Sequence, residues 1–437
     1  MLQNRVLPFN KDEVNCLLVT LSQLHFAFSS SNPTGLSLRA VLDDSPESPL
    51  YHIENLTSAE RGGSDNIRIG IFRDGLFYVV GFTIGSQRHP VKLLMDSGGG
   101  LIWTQCQPCK NCFPRNLGIY DPRVSRGYGI LPCDHPFCDG DGRIYNCVNG
   151  VCVYDVRYGG GASTRGVASL EAFHFLIDRS NIKTFNNVIF GCSDDNRDIF
   201  FKNTDISGIF GLSMARDSMA SQFSPLIHAR FSYCLVPFID AIPRPLVLRF
   251  GEDIPQLPPQ HVQTTMFLPK PGSNYYDLDL LDISVANHRL GFHPYTFRTR
   301  PNGLGGCFID SGALFSVIDS DTIGVNAYQA VVTVFEAYCG SGGLRRTTAD
   351  PNFGVCYEYP TNYHDFASIT FHFNGADYTV DGQYGHYFGR GYFCVAIITG
   401  NFGTVLGAWH QQNKRIIYDA GIGGLQFADE QCINDVL

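Results

Sequence analysis

Charge is scarce in this chain. Asp, Glu, Lys and Arg make up 17% of its 437 residues, and 32 basic residues face 41 acidic ones. The resulting net charge of −9 excludes the basic face on which nucleic-acid binding depends and offers nothing to an anionic membrane. No apolar run reaches the roughly 18 residues that a membrane-spanning helix needs. The glycine phrases that cradle nucleotide phosphates are missing, as is the Gly-x-Ser-x-Gly turn of serine hydrolases. The 13 histidines are scattered without ligand spacing. No cofactor, metal, nucleic acid or membrane partner is therefore expected.

What the chain has in quantity is turns, aromatics and cysteine. It carries 46 Gly and 23 Pro, which mark many turns, and 33 Phe with 21 Tyr, as suits strands. With 44% hydrophobic residues over this length it can build two or more cores. The 15 cysteines are many for a cytosolic enzyme. Cys106, Cys109, Cys112, Cys133, Cys138, Cys147 and Cys152 crowd one segment. The Cys106-x2-Cys109-x2-Cys112 spacing could bind zinc or an iron–sulfur cluster, but Asn116 stands where a ferredoxin-type fourth cysteine would be. Disulfides in an oxidising compartment are the better reading. The odd total leaves a thiol unpaired, and Cys16 near the start is the natural one.

Residues 1–75 read as a signal-like leader and prosegment. Val14 to Phe28 is moderately apolar and runs into Ser29-Ser30-Ser31, like the core of a secretory signal. Asp12 and Glu13 stand where a positive region belongs. Asp43 to Pro49 is unsuited to regular structure, and Asn55-Leu56-Thr57 is a glycosylation sequon, meaningful if the chain is secreted.

From Leu76 the texture becomes strand and turn. Phe77–Gly85 and Val91–Met95 read as strands, and Gly98-Gly99-Gly100 as a sharp turn using glycine's backbone freedom. Residues 104–152 form a stapled insertion. Ser218 to His228 fits a short helix. Prolines at 243, 245, 255, 258 and 259 mark a lobe boundary. This gives an N-terminal β lobe over 76–245 and a C-terminal β lobe over 246–437. In the second lobe, Ile323 to Tyr338 is the best helix, with Val325, Tyr328, Val331, Val332 and Phe335 on one face. The expected fold is all-β and bilobal, with a few short helices and a cleft between lobes.

One phrase occurs twice. Leu94-Met95-Asp96-Ser97-Gly98 and Phe308-Ile309-Asp310-Ser311-Gly312 each end an apolar strand in Asp-Ser-Gly, 214 positions apart. Either alone is an ordinary turn. As a pair they offer one carboxylate per lobe. Two buried carboxylates a few ångströms apart share a proton, so one serves as base and the other as acid at the same pH. Such a pair can take a proton from water while protonating a carbonyl, which hydrolyses an amide without metal or covalent intermediate.

The surrounding phrases resemble those of pepsin-like aspartic proteases, in the plant nepenthesin-type subgroup, over about residues 75–432. Asp96 to Cys106 resembles that subgroup's first active-site motif, and Cys106-Gln107-Pro108-Cys109 opens a similar cysteine-rich insertion. Gly208-Ile209-Phe210-Gly211-Leu212 and Val405-Leu406-Gly407 match the segments that brace the catalytic loops. Phe231-Ser232-Tyr233-Cys234-Leu235, Gln411-Gln412-Asn413 and Ser45 to Tyr51 are further matches. The resemblance implies catalytic Asp96 and Asp310, with Ser97 and Ser311 cross-linking the loops beneath them. It implies a flap tyrosine at Tyr158 that closes over substrate, Trp103 as its hydrogen-bond donor, and Gly98 and Gly312 against the peptide.

Two departures from the pattern stand out. The family usually has Ser or Thr after each Asp-Ser/Thr-Gly, and this chain has Gly99 and Ala313. Loss of hydroxyl donors to the carboxylates should raise the apparent pKa values of the pair. Gly160 and Ala162 replace Asp and Ser in the flap, whose run of glycines should loosen it. Cys307 and Cys339 fit no subgroup pairing, so they pair with each other or stay free. The resemblance implies a secreted or vacuolar, monomeric aspartic endopeptidase, made as a zymogen and acting on peptides at acidic pH, with activity reduced by these departures. The alternative is a catalytically weak or silent relative that binds or inhibits another protein.

Overall fold

The computed structural model describes residues 67–437, apart from 115, 139–143, 159–160, 179–180, 200, 202–203 and 241–243. The leader, the sequon at Asn55, Cys16, and Gly159 and Gly160 of the flap lie outside the described residues.

Ile67–Asp74 is a strand, which lies inside the stretch read as leader. Ile67, Ile69 and Ile71 alternate inward and are buried, which is the period of a half-buried strand. It lies between Phe77–Ile84 and Leu246–Phe250, antiparallel to both. These belong to a 15-stranded sheet that also takes in Arg230–Cys234, Lys414–Asp419 and Gly424–Asp429. Strands from both halves of the chain thus share one sheet, and the lobes are joined at their base. The chain end closes it: Cys234 is bonded to Cys432, and Leu246 bridges to Val436.

Each Asp-Ser-Gly sits in the same local topology. His89–Asp96 runs parallel to Gly208–Gly211, with Gly211 opposite Asp96. Gly208–Gly211 is antiparallel to Trp103–Gln105, which runs parallel to Ile182–Arg197. In the second lobe, Cys307–Asp310 runs parallel to Thr404–Gly407, with Gly407 opposite Asp310. Thr404–Gly407 is antiparallel to Ser316–Asp319, which runs parallel to Ile397–Gly400. Crossing chains explain the brace glycines. A Cβ on Gly211 would lie 1.9 Å from the Gly100 carbonyl, and one on Gly407 2.5 Å from that of Phe315.

Helices are few. The expected helix over 218–228 shrinks to Met219–Gln222, capped by Ser218. His228 and Ala229 have left-handed backbone (φ of 50° and 53°), which no helix continues through. The second helix is Ala327–Ser341, later than expected, because the Asn326 side chain caps the Gln329 N–H. Its buried face is Ala327, Val331, Val332, Phe335 and Cys339, while Val325 precedes it and is exposed.

Six disulfides staple the described residues. Cys109–Cys112, Cys133–Cys147 and Cys138–Cys152 hold the insertion internally, while Cys106–Cys192 ties it to the strand Ile182–Arg197. Cys356–Cys394 staples the second lobe. Cys307 and Cys339 are both free and buried. Among the described residues, no helix is long and apolar enough to cross a membrane.

Candidate active site

The two Asp-Ser-Gly turns meet. The Ser97 N–H donates to Ser311 Oγ at 3.0 Å, and the Ser311 N–H donates to Ser97 Oγ at 2.9 Å. Ser311 Oγ donates in turn to the Met95 carbonyl at 2.9 Å. Each loop is thereby clamped to the strand end of the other, and all these atoms are buried.

The clamp aims Asp96 and Asp310 at one point. The Gly98 N–H lies between them, 2.9 Å from Asp96 Oδ1 and 3.1 Å from Asp310 Oδ1. The Gly99 N–H donates to Asp96 Oδ1 at 2.8 Å, and the Gly312 N–H to Asp310 Oδ1 at 2.7 Å. Burial raises both carboxyl groups above the usual range, Asp96 further, because the charge of Asp310 adds to the rise there. The N–H of Gly312, a hydrogen bond from Asp96, and the N–H groups of Ala313 and Gly98 draw Asp310 back down. The two carboxyl groups titrate as a pair, with Asp96 pushed up further than Asp310. Asp310 Oδ2 is buried and has no N–H or hydroxyl donor within hydrogen-bond geometry.

The three glycines are needed for room rather than for backbone angle. None of them has a left-handed φ. A Cβ on Gly98 would lie 2.6 Å from the Asp310 carboxyl carbon, one on Gly99 2.5 Å from Asp96 Oδ2, and one on Gly100 2.6 Å from Asp217 Oδ1. On the other side, a Cβ on Gly312 would lie 2.5 Å from Asp96 Oδ1. The absent hydroxyls are replaced differently in the two loops. At Gly99 the Asp96 carboxyl itself approaches the backbone. The Ala313 methyl joins an apolar cluster with Phe308, Val317 and Val405. The largest cause of the rise in both pKa values is burial.

Tyr158 and Trp103 are brought together. The indole N–H of Trp103 donates to the Tyr158 hydroxyl at 2.7 Å, and both rings are buried. Tyr158 sits at the end of the hairpin Val151–Arg157/Ser163–Leu176, and the turn closes through its N–H to the Ala162 carbonyl at 2.8 Å. The charge of Asp96 adds to burial in raising the Tyr158 hydroxyl, which places it within electrostatic reach of the pair.

Sequence reasoning missed several residues here. Tyr275 stacks on Phe308 (4.4 Å between centroids) and feels both carboxylates. Asp217, buried, accepts from the Tyr145 hydroxyl at 2.7 Å behind Gly100. Nothing in the local sequence marks either, since each partner comes from a distant segment. Tyr233 and Gln411 lie inside phrases already singled out, but their contact with the catalytic loops was not readable.

Comparison with known proteins bears on the family and the fold. Residues 78–252 match a family model described as xylanase inhibitor N-terminal, and residues 275–429 one described as xylanase inhibitor C-terminal. Aspartic proteinase nepenthesin-1 of Nepenthes gracilis is 28% identical over 377 residues, covering 85% of this chain and 81% of its own. Aspartyl protease family protein 2 of Arabidopsis thaliana is 29% identical over 390 residues, covering 86% and 76%. Among solved structures, edgp superposes with a TM-score of 0.67 at 18% identity, covering 85% of this chain and 98% of its own. Basic 7S globulin from soybean gives 0.65 at 16%, covering 83% and 96%. These two show that the bilobal fold is shared.

Proposed function

The chain belongs to the plant pepsin-like aspartic protease family, and from that premise we propose that it is an aspartic endopeptidase. The observation that carries the reading is the buried pair Asp96 and Asp310, aimed at each other through the shared Gly98 N–H, with both carboxyl pKa values raised by burial. Water held between the carboxyls gives a proton to Asp310 as its oxygen attacks the scissile carbonyl. Asp96 donates its proton to the carbonyl oxygen as the negative charge develops there. The amide bond then breaks from the tetrahedral diol as the nitrogen is protonated. No cofactor takes part. An extended peptide lies across the cleft by strand-like hydrogen bonds, with Gly98 and Gly312 beneath it and Tyr158, held by Trp103, above. The six disulfides support an oxidising compartment, hence a secreted or vacuolar protein; production as a zymogen and action as a monomer complete the proposal.

The test is cleavage of an acid-denatured protein by purified, processed enzyme between about pH 3 and 7. Cleavage that peaks at mildly acidic pH and is blocked by a statine-type transition-state mimic is the expected result. A fully folded protein that cleaves nothing would overturn the reading. It would favour the second one, a silent binding or inhibitor protein, to which Gly99 and Ala313 point.

The close approach at Gly99 gives a sharper expectation. In Gly99→Ala the new methyl must displace the Asp96 carboxyl. A misplacement on the ångström scale costs on the order of 10–100-fold in rate. We expect that loss in kcat, with KM little changed, measured by steady-state cleavage of a quenched fluorescent peptide.

A further inference from the structure

Beneath the carboxylates runs a line of buried polar groups that the mechanism above does not use. Ser97 Oγ is 3.1 Å from the Tyr418 hydroxyl, and that hydroxyl is 2.8 Å from the Tyr233 hydroxyl. Tyr233 meets Gln411 Oε1 at 2.6 Å. Gln411 Nε2 reaches the carbonyls of Leu406 (2.8 Å) and of Asp310 itself (3.3 Å). All four side chains come from different segments and are buried.

The direction of every bond in this line can be worked out. The Leu406 and Asp310 carbonyls only accept, so the Gln411 atom facing them is the NH2. Its oxygen therefore faces Tyr233, and Tyr233 must donate its one hydroxyl proton to it. With that proton spent, Tyr233 can only accept from Tyr418. Tyr418 in turn can only accept from Ser97. Ser97 Oγ meanwhile accepts the Ser311 N–H from the other loop. The clamp is thus not symmetric. Ser311 donates across to the Met95 carbonyl, whereas Ser97 donates down to Tyr418, and the line of hydrogen bonds returns through Tyr233 and Gln411 to the opposite catalytic loop.

We propose that Tyr418 is a positioning residue for the catalytic pair. Its hydroxyl accepts from Ser97 and donates to Tyr233, Tyr233 donates to Gln411, and the Gln411 amide N–H donates to the main-chain carbonyl of Asp310, which locks the two loops in one polar circuit. A hydroxyl that donates becomes a better acceptor. Donation into the relay therefore strengthens the Ser311 N–H bond to Ser97 and holds the turn whose next N–H, that of Gly312, binds Asp310 Oδ1. Without the relay that donor slackens, and the ionised form of Asp310 loses part of its support. As a role for these residues in catalysis, the inference rests on the endopeptidase reading. As a role in setting the ionisation of the pair, it does not.

The experiment follows the carboxyl titrations directly. Protein labelled with 13C at the Asp side-chain carboxyl is titrated by NMR, with Asp96→Asn and Asp310→Asn used to assign the two signals. Tyr418→Phe is expected to move the titration of the pair to higher pH by a few tenths of a pH unit. Tyr233→Phe should do the same, and the double variant should move it no further, because either change opens the same circuit. Tyr78→Phe is the control. It removes another buried hydroxyl, bonded to the Val236 carbonyl, and should lower thermal stability without moving the titration. A Tyr418→Phe titration identical to wild type, additive shifts in the double variant, or an equal shift in Tyr78→Phe would each overturn the relay. Peptide cleavage assayed on the same samples separates the two ideas. A wild type that cleaves nothing, yet titrates as described, overturns the endopeptidase reading and upholds the relay. An active wild type should lose about tenfold in kcat on Tyr418→Phe, with the acid limb of kcat/KM moving the same way as the NMR titration.

Discussion

Asp96→Asn and Asp310→Asn should each abolish peptide cleavage while leaving the fold intact, and at neutral pH they should not destabilise it. The activity arm follows from the division of labour in the pair. An amide can neither hold the proton that Asp96 donates nor take the one that Asp310 accepts. Loss of one acid–base partner is worth on the order of 10³-fold or more in kcat. The stability arm follows from burial. Both carboxyl groups have folded pKa values above the unfolded range. Such groups destabilise the fold as pH rises above the unfolded value, and the deficit is complete once pH passes the folded value. An Asn carries no such deficit. The melting temperature of either variant should therefore match or exceed wild type at pH 7, and the difference should shrink toward pH 4. Calorimetry across pH, beside a cleavage assay, checks both arms. Persistent cleavage in Asp96→Asn would sink the mechanism. A large loss of melting temperature at pH 7 would show that the pair braces the fold rather than straining it.

The opposite pH dependence is expected from two histidines in the second lobe. His386 is enclosed by Phe335, Phe366 and Phe393, and its Nδ1–H donates to the Gly382 carbonyl at 2.7 Å. His410 is fully buried, with Nδ1 2.7 Å from Ser316 Oγ, the same oxygen that accepts the N–H of Gly407 at 2.9 Å. His410 thus supports the segment that braces Asp310. Burial lowers His386 to about 4 and His410 to about 3. The unfolded chain would protonate both near pH 6.5. The stability held by the neutral rings is therefore complete above about pH 6.5 and is lost as pH falls through 4 and then 3. Fully expressed, this comes to ~3 kcal/mol or more for each ring, a large part of the 5–15 kcal/mol that holds a typical domain. The protein should melt much earlier at pH 4 than at pH 7. His386→Gln/His410→Gln should lose far less between those two values, by circular dichroism melts. An equal loss in wild type and variant would show that other groups set the acid limit. For an enzyme whose chemistry calls for acid, this adds loss of the fold to protonation of the catalytic base at the lower edge of activity, while loss of the catalytic acid's proton sets the upper edge.

Much of the site was legible because it is written as local repetition. Asp96 and Asp310 end strands whose apolar runs and Asp-Ser-Gly turns can be seen without knowing the fold, and the brace segments 208–212 and 405–407 carry their glycines openly. The roles of those glycines were not legible. Backbone freedom is a property of the residue, but the need for room at Gly98, Gly99 and Gly211 arises from chains that arrive from elsewhere. The same limit hid Tyr275, Asp217 and the line from Ser97 to Gln411, whose members lie up to 321 positions apart. It also hid the strand Ile67–Asp74, since three alternating isoleucines make a weak signal until the neighbouring strands are known.

The sequence by itself determined the all-β texture, the two equivalent halves, the disulfide-rich insertion and the identity of the two carboxylates. Alternation, turn chemistry and repetition are short-range properties, and each can be read within a dozen residues. Tertiary structure alone decided how burial and neighbouring donors act on the two carboxyls, what stands beside Gly99 and Ala313, and which group the Ser97 hydroxyl meets. Those answers depend on burial and on the placing of single donors within about 3 Å, and distances of that kind exist only once distant strands have met.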